Sequence, residues 1–569
     1  MSLRSIEIKP LPDDNSVSIR TALHELRDGG RLVLVPGRYR CRGSALQKNG
    51  RTREPSVTVQ NLRHIAIEGN GATLVGQDIA GLFQFIGCED ITIRNLTVDW
   101  DPLPHTAGQV LAHLPDQHAF DIAPIIPADP PTGRIVQAII AYNPELRRMG
   151  HWEIYQTQGE RDAEPSVRVA NGQLRIFQRR PGGAYSFNDK LPEIGSHVIV
   201  RHQVYGYDAF VFYGCGNVRL EDVTVHAVPG MAVIGWQSRD ITIQRIKVVP
   251  TAGGWMSATA DAMHFGGCRG VITVEDSEFA GMGDDAINIH GMYGLVTHRI
   301  DDHTVEAGRA RMNPYYDTDR VTWDEPQSGD ILEYGGGKEP LLPQGQLTVA
   351  AAHQDITAHR VVIRFKEALP EAIGDGAVLT NVSSNPAVRI RNCYVHGNRA
   401  RGMLIQTRDV VIERCRFEDI TSHGIQLCTD ACDWWESLGV RDVTITGCVF
   451  RRNCFWWGGA AIQISSDIPG GQSAPGVHQR IRIVDNLLED NAGGSAIHIG
   501  SAEDVELAGN KIVHPQLPVI TIVNSRHVRI NDAGDWDIGN GVEISGSSDS
   551  TTISIRCDSV KFRDEEATR

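Results

Sequence analysis

Three aspartates stand at a spacing that only a repeating fold would bring together. Asp261, in Ala260-Asp261-Ala262-Met263-His264-Phe265, is followed 23 and 24 residues later by Asp284 and Asp285, in Gly281-Met282-Gly283-Asp284-Asp285-Ala286-Ile287-Asn288-Ile289-His290-Gly291. Carboxyl groups sharing a small volume repel one another when ionised, so at least one keeps its proton at neutral pH. A protonated acid beside an ionised base is what cleavage of a glycosidic bond requires. His264 and His290 follow their aspartates by three and five residues, with Asn288 between Asp285 and His290. These side chains suit a hydrogen bond to a substrate hydroxyl or the orientation of a carboxylate. The ligand types would also serve a metal, but the tight spacing of a metal site is missing, so none is expected.

The interval between the aspartates is that of the chain itself. Short alternating apolar strands recur as NVRLEDVTV at 217, RDITIQRIKV at 239, PAVRIRNCYV at 386, RDVVIERCRF at 408, RDVTITGCVF at 441, QRIRIVDNLL at 479, EDVELAGNKI at 503 and RHVRINDAGD at 526. From the first apolar residue of one strand to that of the next, Val218 to Ile241 is 23 residues, Val388 to Val410 is 22, Ile481 to Val505 is 24 and Val505 to Val528 is 23. Longer steps, such as Val410 to Val443, fit a coil carrying an insertion. A period of this length with β alternation marks a solenoid whose coils stack strand on strand. The LxxLxL pattern of leucine-rich repeats is absent, and the expected fold is all-β, a right-handed parallel β-helix. Five residues after their markers stand Cys393, Cys415 and Cys448, then Asn486 and Asn510, as ladders on strands roughly 4.8 Å apart would require. The cysteines are expected to fill the core as free thiols, since stacked neighbours hold their Cβ atoms too far apart for a disulfide.

Two stretches break the repeat. One, near 101–200, is rich in Pro and Gly, and the other, near 294–383, holds antiparallel-looking strands. Both read as small β-barrel-like modules inserted into the solenoid. The expected organisation is an N-terminal cap and first coils over 1–100, an inserted module over 101–200 and coils with the carboxylates over 201–293. A second module over 294–383 and C-terminal coils over 384–569 complete it. Insertions in solenoids gather on the binding face. Asp284 and Asp285 cannot both project from one face of a regular strand, so they are expected on a bend that Gly281 and Gly283 permit.

Composition excludes several classes. A formal charge of −15 argues against nucleic acid or an anionic membrane as partner. No run of eighteen apolar residues occurs, so no membrane span is expected. The first sixteen residues lack a signal-peptide core, which leaves the compartment open between the cytoplasm and a secreted or periplasmic form with its signal removed. Eleven cysteines without regular spacing argue against a disulfide framework or a structural zinc. Downstream, Arg401, Gln426, Trp435 and Glu436 compose a sugar-binding set: an indole covers the apolar face of a pyranose, and charged groups take its hydroxyls.

At this point the chain resembles glycoside hydrolase family 110, the α-galactosidases that act on terminal α-1,3-linked galactose. The resemblance rests on ADAMHFGGCRGVITVEDSEFAGMGDDAINIHGMYG, GNRARGMLIQT and CDWWESLGVRDVTITGCVF, and spans roughly residues 200–460. It implies a β-helix with two inserted modules, exo-acting hydrolysis with inversion, no metal and no cofactor. It further implies that Asp261, Asp284 and Asp285 are the catalytic carboxylates, and by analogy a homodimer. Polygalacturonases carry a similar trio, but Thr259-Ala260-Asp261 replaces their Asn-Thr-Asp and their Gly-His-Gly signature is absent, so neutral galactose fits better than a uronic acid. Asp284 or Asp261 is expected to protonate the glycosidic oxygen, and Asp285 with the other to activate water. A polysaccharide lyase, an endo-acting β-helical hydrolase and a non-catalytic glycan-binding solenoid are the alternatives. The galactoside itself, whether branched blood-group type, linear or algal galactan, is left open.

Overall fold

The computed structural model describes residues 4–26, 29–43, 55–77, 79–155, 166–177, 191–308, 325–336, 341–355, 360–430, 435–436, 439–467, 473–516, 518–531, 541–546 and 552–555. Its strands stack in parallel along most of the chain, in one sheet of 22 strands and a second of 12. The register follows the apolar markers: Val218 pairs with Ile241, Val388 with Val410, Ile481 with Val505 and Val505 with Val528. Coils that carry extra residues keep the same register, with Val410 on Val443 and Val443 on Ile481. Alternate residues of each strand point inward, and one continuous core runs from Ile19 to Ile530. The helix Ser16–Glu25 buries Ile19, Ala22 and Leu23 over the first coil, covering an end that would otherwise leave apolar surface exposed.

The ladder has a clear chemical logic. Cys393, Cys415 and Cys448 are buried free thiols, and the backbone N–H of Cys415 donates to Cys448 Sγ at 3.4 Å. One coil on, the Cys448 N–H donates to Asn486 Oδ1 at 2.9 Å, and Asn486 Nδ2 donates to Ile445 O at 3.1 Å and Asn510 Oδ1 at 2.9 Å. Each side chain thus satisfies backbone groups where the chain turns inside the core.

The two insertions differ in form. The first is a seven-stranded antiparallel sheet, in the order Arg148–Tyr155, Ala138–Asn143, His197–Arg201, His105–Leu114, Ala119–Ile126, Leu174–Phe177 and Val167–Arg168. The second is a closed six-stranded barrel running from Tyr293–Arg299 to Val378–Asn381. Buried Glu333 of the barrel accepts from Arg408 and Arg441 of adjacent coils, and Asp330 takes a two-point bond from Arg269, so the barrel is tied to the solenoid wall. No helix among the described residues is long and apolar enough to cross a membrane.

Replacing Asn486 by Ala removes the acceptor of the buried Cys448 N–H and the donor to Ile445 O. The expected loss is about 1–3 kcal/mol, read as a lower denaturant midpoint at unchanged m-value.

Candidate functional site

The carboxylates stand at the entry to three successive strands of the 12-stranded sheet. Met263–Gly266 pairs with Ile287–His290, which pairs with Met403–Gln406. Asp261, Asp285 and Arg401 each fall two residues before the first paired residue, so they form one vertical column. Asp284 is turned out of that column by the bend Gly281–Asp284. Gly281 adopts φ +66°, and a Cβ on Gly283 would lie 2.3 Å from the Thr259 carbonyl oxygen and 3.0 Å from Arg201 Nη1. The bend therefore needs glycine once for conformation and once for space. One oxygen from each of Asp261, Asp284 and Asp285 lies within 4.8 Å of the others.

A buried network holds this cluster in place. Arg201, fully enclosed, donates to the carbonyls of Thr259 at 2.9 Å and Gly283 at 3.1 Å, bracing the loops that carry Asp261 and Asp284. Its guanidinium also pairs with Glu153, whose other oxygen accepts from Arg399 Nε at 2.7 Å. Arg399 reaches Asp284 Oδ1 with Nη1 at 2.9 Å, and the Tyr205 hydroxyl donates to Asp284 Oδ2. Asp285 accepts from the Arg401 backbone N–H at 2.8 Å and lies 3.0 Å from Arg401 Nη2. Asp261 Oδ2 faces His264 Nδ1 at 2.8 Å.

These surroundings divide the protons. Burial pushes the Asp284 carboxyl up, but Arg399, Arg401, the Tyr205 hydroxyl and Arg201 outweigh it and hold the group below its ordinary value. Burial, followed by the Asp284 charge, drives Asp261 well above the carboxylate range despite Arg401. Asp285 is pushed up to about 8, by burial and by both neighbouring aspartates, against the pull of Arg401. At neutral pH the cluster thus pairs an ionised Asp284 with carboxyls that keep their protons. Arg399 and Arg401 supply the positive charge that faces the aspartates, on Asp284 and Asp285 respectively.

Among the other residues expected at the site, His264 and His290 face one another, with Nε2 atoms 2.9 Å apart, and Glu436 Oε1 lies 3.7 Å from His290 Nε2. Asn288 pairs with His264 one coil earlier and is buried, and its Oδ1 has no partner among the described residues. Gln426 is two coils further along the same row, through Leu404, and reaches Ser465 Oγ at 3.4 Å. Trp435 is turned elsewhere: its ring lies 5.2 Å from that of Tyr293, in a cluster with Leu341, Val378 and Val477 at the barrel's foot. Sequence reasoning missed Glu153, Arg201 and Tyr205, and gave Arg399 no part in holding Asp284. The available signal was Arg201 closing the apolar strand His197–Arg201, where a charge enters a core only if paired.

The fold is that of a right-handed parallel β-helix, and the relatives of the chain support a glycoside hydrolase. The family model for the right-handed β-helix region matches residues 373–512. The chain is similar to α-1,3-galactosidase B of Bacteroides thetaiotaomicron, 24% identical over 463 residues, covering 76% of this chain and 71% of the relative. It is likewise similar to α-1,3-galactosidase A of the same species, 27% identical over 519 residues, covering 85% and 87%. Among solved structures, an endo-xylogalacturonan hydrolase of Aspergillus tubingensis aligns at 8% identity and a TM-score of 0.45, over 95% of this chain and 100% of that one.

Two outcomes follow from the charges. Asp285 titrates near 3.8 when unfolded and about 8 when folded, so the stability it contributes is full at acid pH and lost as pH rises towards 8. Asp285→Asn mimics the protonated form; its melting temperature relative to wild type should climb from pH 5 to 8 and then level off. Glu153→Gln leaves Arg201 and Arg399 without their shared charge, and should lower stability by about 3–5 kcal/mol together with kcat, measured by denaturation and by kinetics on the same preparation.

Proposed function

We propose that the protein is an exo-acting glycoside hydrolase that removes terminal α-1,3-linked galactose with inversion of configuration. The observation that carries this proposal is a buried cluster of three aspartates, one oxygen of each within 4.8 Å of the others, in which Arg399 and Tyr205 engage Asp284, on a chain similar to α-1,3-galactosidases over three quarters of its length. Asp261, Asp284 and Asp285 are the catalytic carboxylates. Asp261 donates the proton to the glycosidic oxygen, since its surroundings favour the acid form. Asp284 is the ionised carboxylate that takes a proton from the attacking water, and Asp285 beside it is held by Arg401. Of the two donors open from sequence, Asp261 fits better, because the guanidiniums on Asp284 favour its charged form.

The spacing of the carboxyls does not itself support inversion: their nearest oxygens lie within 4.8 Å, against roughly 6.5–9.5 Å between the acid and base of inverting enzymes. What favours water over a covalent intermediate is the engagement of Asp284. Both its oxygens already accept, from Arg399 and from Tyr205, which ties the carboxylate down short of an attack on carbon. Arg401, Asn288 and Gln426 are the groups proposed to take sugar hydroxyls.

The test compares a Gal-α-1,3-Gal disaccharide with an aryl α-galactoside bearing a good leaving group. Asp261→Asn should lose roughly 10²–10⁴-fold on the disaccharide and far less on the aryl substrate, while Asp284→Asn should lose heavily on both. Equal losses for Asp261→Asn on the two substrates would overturn the assignment. Proton NMR of fresh product should show β-galactose first; α-galactose would overturn inversion, and the release of no free galactose would overturn the function.

A further inference from the structure

The two histidines expected to bind sugar hydroxyls are engaged with each other, and their geometry fixes where protons lie. His290 Nδ1 faces the Gly291 carbonyl oxygen at 2.8 Å, so Nδ1 carries a hydrogen and donates. In a neutral ring that leaves Nε2 as an acceptor. His264 Nε2 lies 2.9 Å from that atom and must therefore be the donor. Neutral His264 then offers a bare Nδ1 to Asp261 Oδ2 at 2.8 Å, a contact that holds only if Asp261 is protonated. The alternative placement moves both hydrogens along by one bond: Asp261 ionised, His264 carrying Nδ1–H, and His290 a cation. Either way, Asp261, His264 and His290 together hold one proton beyond the count of an ionised carboxylate and two neutral rings.

We propose that His264 and His290 form a proton store for Asp261, with Glu436 as the counter-charge that sets its balance. In the shift, the Asp261 Oδ2–H bond breaks as a hydrogen forms on His264 Nδ1. The His264 Nε2–H bond breaks as one forms on His290 Nε2. Asp261 ends with a negative charge and His290 with a positive one, 3.7 Å from Glu436 Oε1. Asp261 thus changes charge without releasing its proton to solvent. Burial depresses the His264 imidazole, against the opposing pull of Glu436, Asp285, Asp208 and Asp284, which disfavours a lasting charge on the middle ring of the chain. Arg401 faces the same cluster, and Trp236 packs on both rings at 6.4 and 5.9 Å, keeping them in line. His264, His290 and Glu436 are positioning residues, acting through Asp261.

This proposal rests on the donor role given to Asp261, but its first test does not need activity. In intact enzyme labelled with ¹⁵N-histidine, the signals of His264 and His290 are assigned by loss in His264→Asn and His290→Asn. At neutral pH we expect His264 as the Nε2–H tautomer and His290 as the Nδ1–H tautomer. A charged His290 beside an Nδ1–H His264 would place the proton at the other end of the same chain and also support it. Two neutral rings with His264 in the Nδ1–H form would overturn it, whether or not galactose is released. The second test is Glu436→Gln, which removes the charge that favours the His290 cation. The Glu436 charge also favours the acid form of Asp261, so Asp261 should then give up its proton at lower pH, moving the alkaline limb of kcat downward by about one unit, a tenfold change, with KM within twofold. A raised KM with an unmoved limb would show that Glu436 binds substrate instead, and would overturn its place in the store.

Discussion

Everything at the site hangs on a line of buried charge that runs Arg201, Glu153, Arg399, Asp284. Two of its members belong to the first inserted sheet and two to the solenoid, so the line joins bodies that a repeat alone would not bring together. Arg201 also fixes the backbone, since the carbonyls it takes belong to Thr259 and Gly283, just ahead of Asp261 and Asp284. A buried ion pair contributes little to net stability because desolvation offsets attraction, but breaking one is expensive. Such a line specifies geometry more than it adds stability, and the geometry it specifies is the position of one carboxylate relative to two others.

The charges also explain why the cluster tolerates three aspartates. Arg201, Arg399 and Arg401 face Glu153 and the trio. With protons on Asp261 and Asp285, the ionised carboxylates do not outnumber the guanidiniums; with those protons gone, they would. In an enclosed site the imbalance is costly, and titration relieves it. The unequal protonation is thus a property of the whole assembly of seven groups, not of any one aspartate.

The solenoid was legible in the sequence because its period is local and repeated: the apolar residues that recur at that period are the ones that pair in space. The bend at Asp284-Asp285 was legible for a steric reason, as two adjacent residues cannot share a strand face. The tie between the first insert and Asp284 was not. Glu153 and Arg399 are 246 residues apart, and no periodicity links an insert to a coil. The insert's form was likewise hidden, since alternating strands read the same in an open sheet and a barrel. Trp435 was ambiguous for a chemical reason: an indole next to a glutamate suits a sugar platform and a packing anchor equally, and its contact with Tyr293 was not readable from the sequence.

The barrel enters the chain directly after the strand Ile287–His290 and leaves it before the next coil, yet Ile287 still pairs with Met403 as Met263 pairs with Ile287. Arg401 reaches back to Asp285 across 116 residues as readily as Asp285 sits over Asp261 across 24. Even as a flexible loop, the longer connection would add only about 1.4 kcal/mol of closure entropy. The solenoid therefore treats its wall and its decorations as separate inheritances. A barrel of another size or shape could be exchanged at this junction with the carboxylate column left in register.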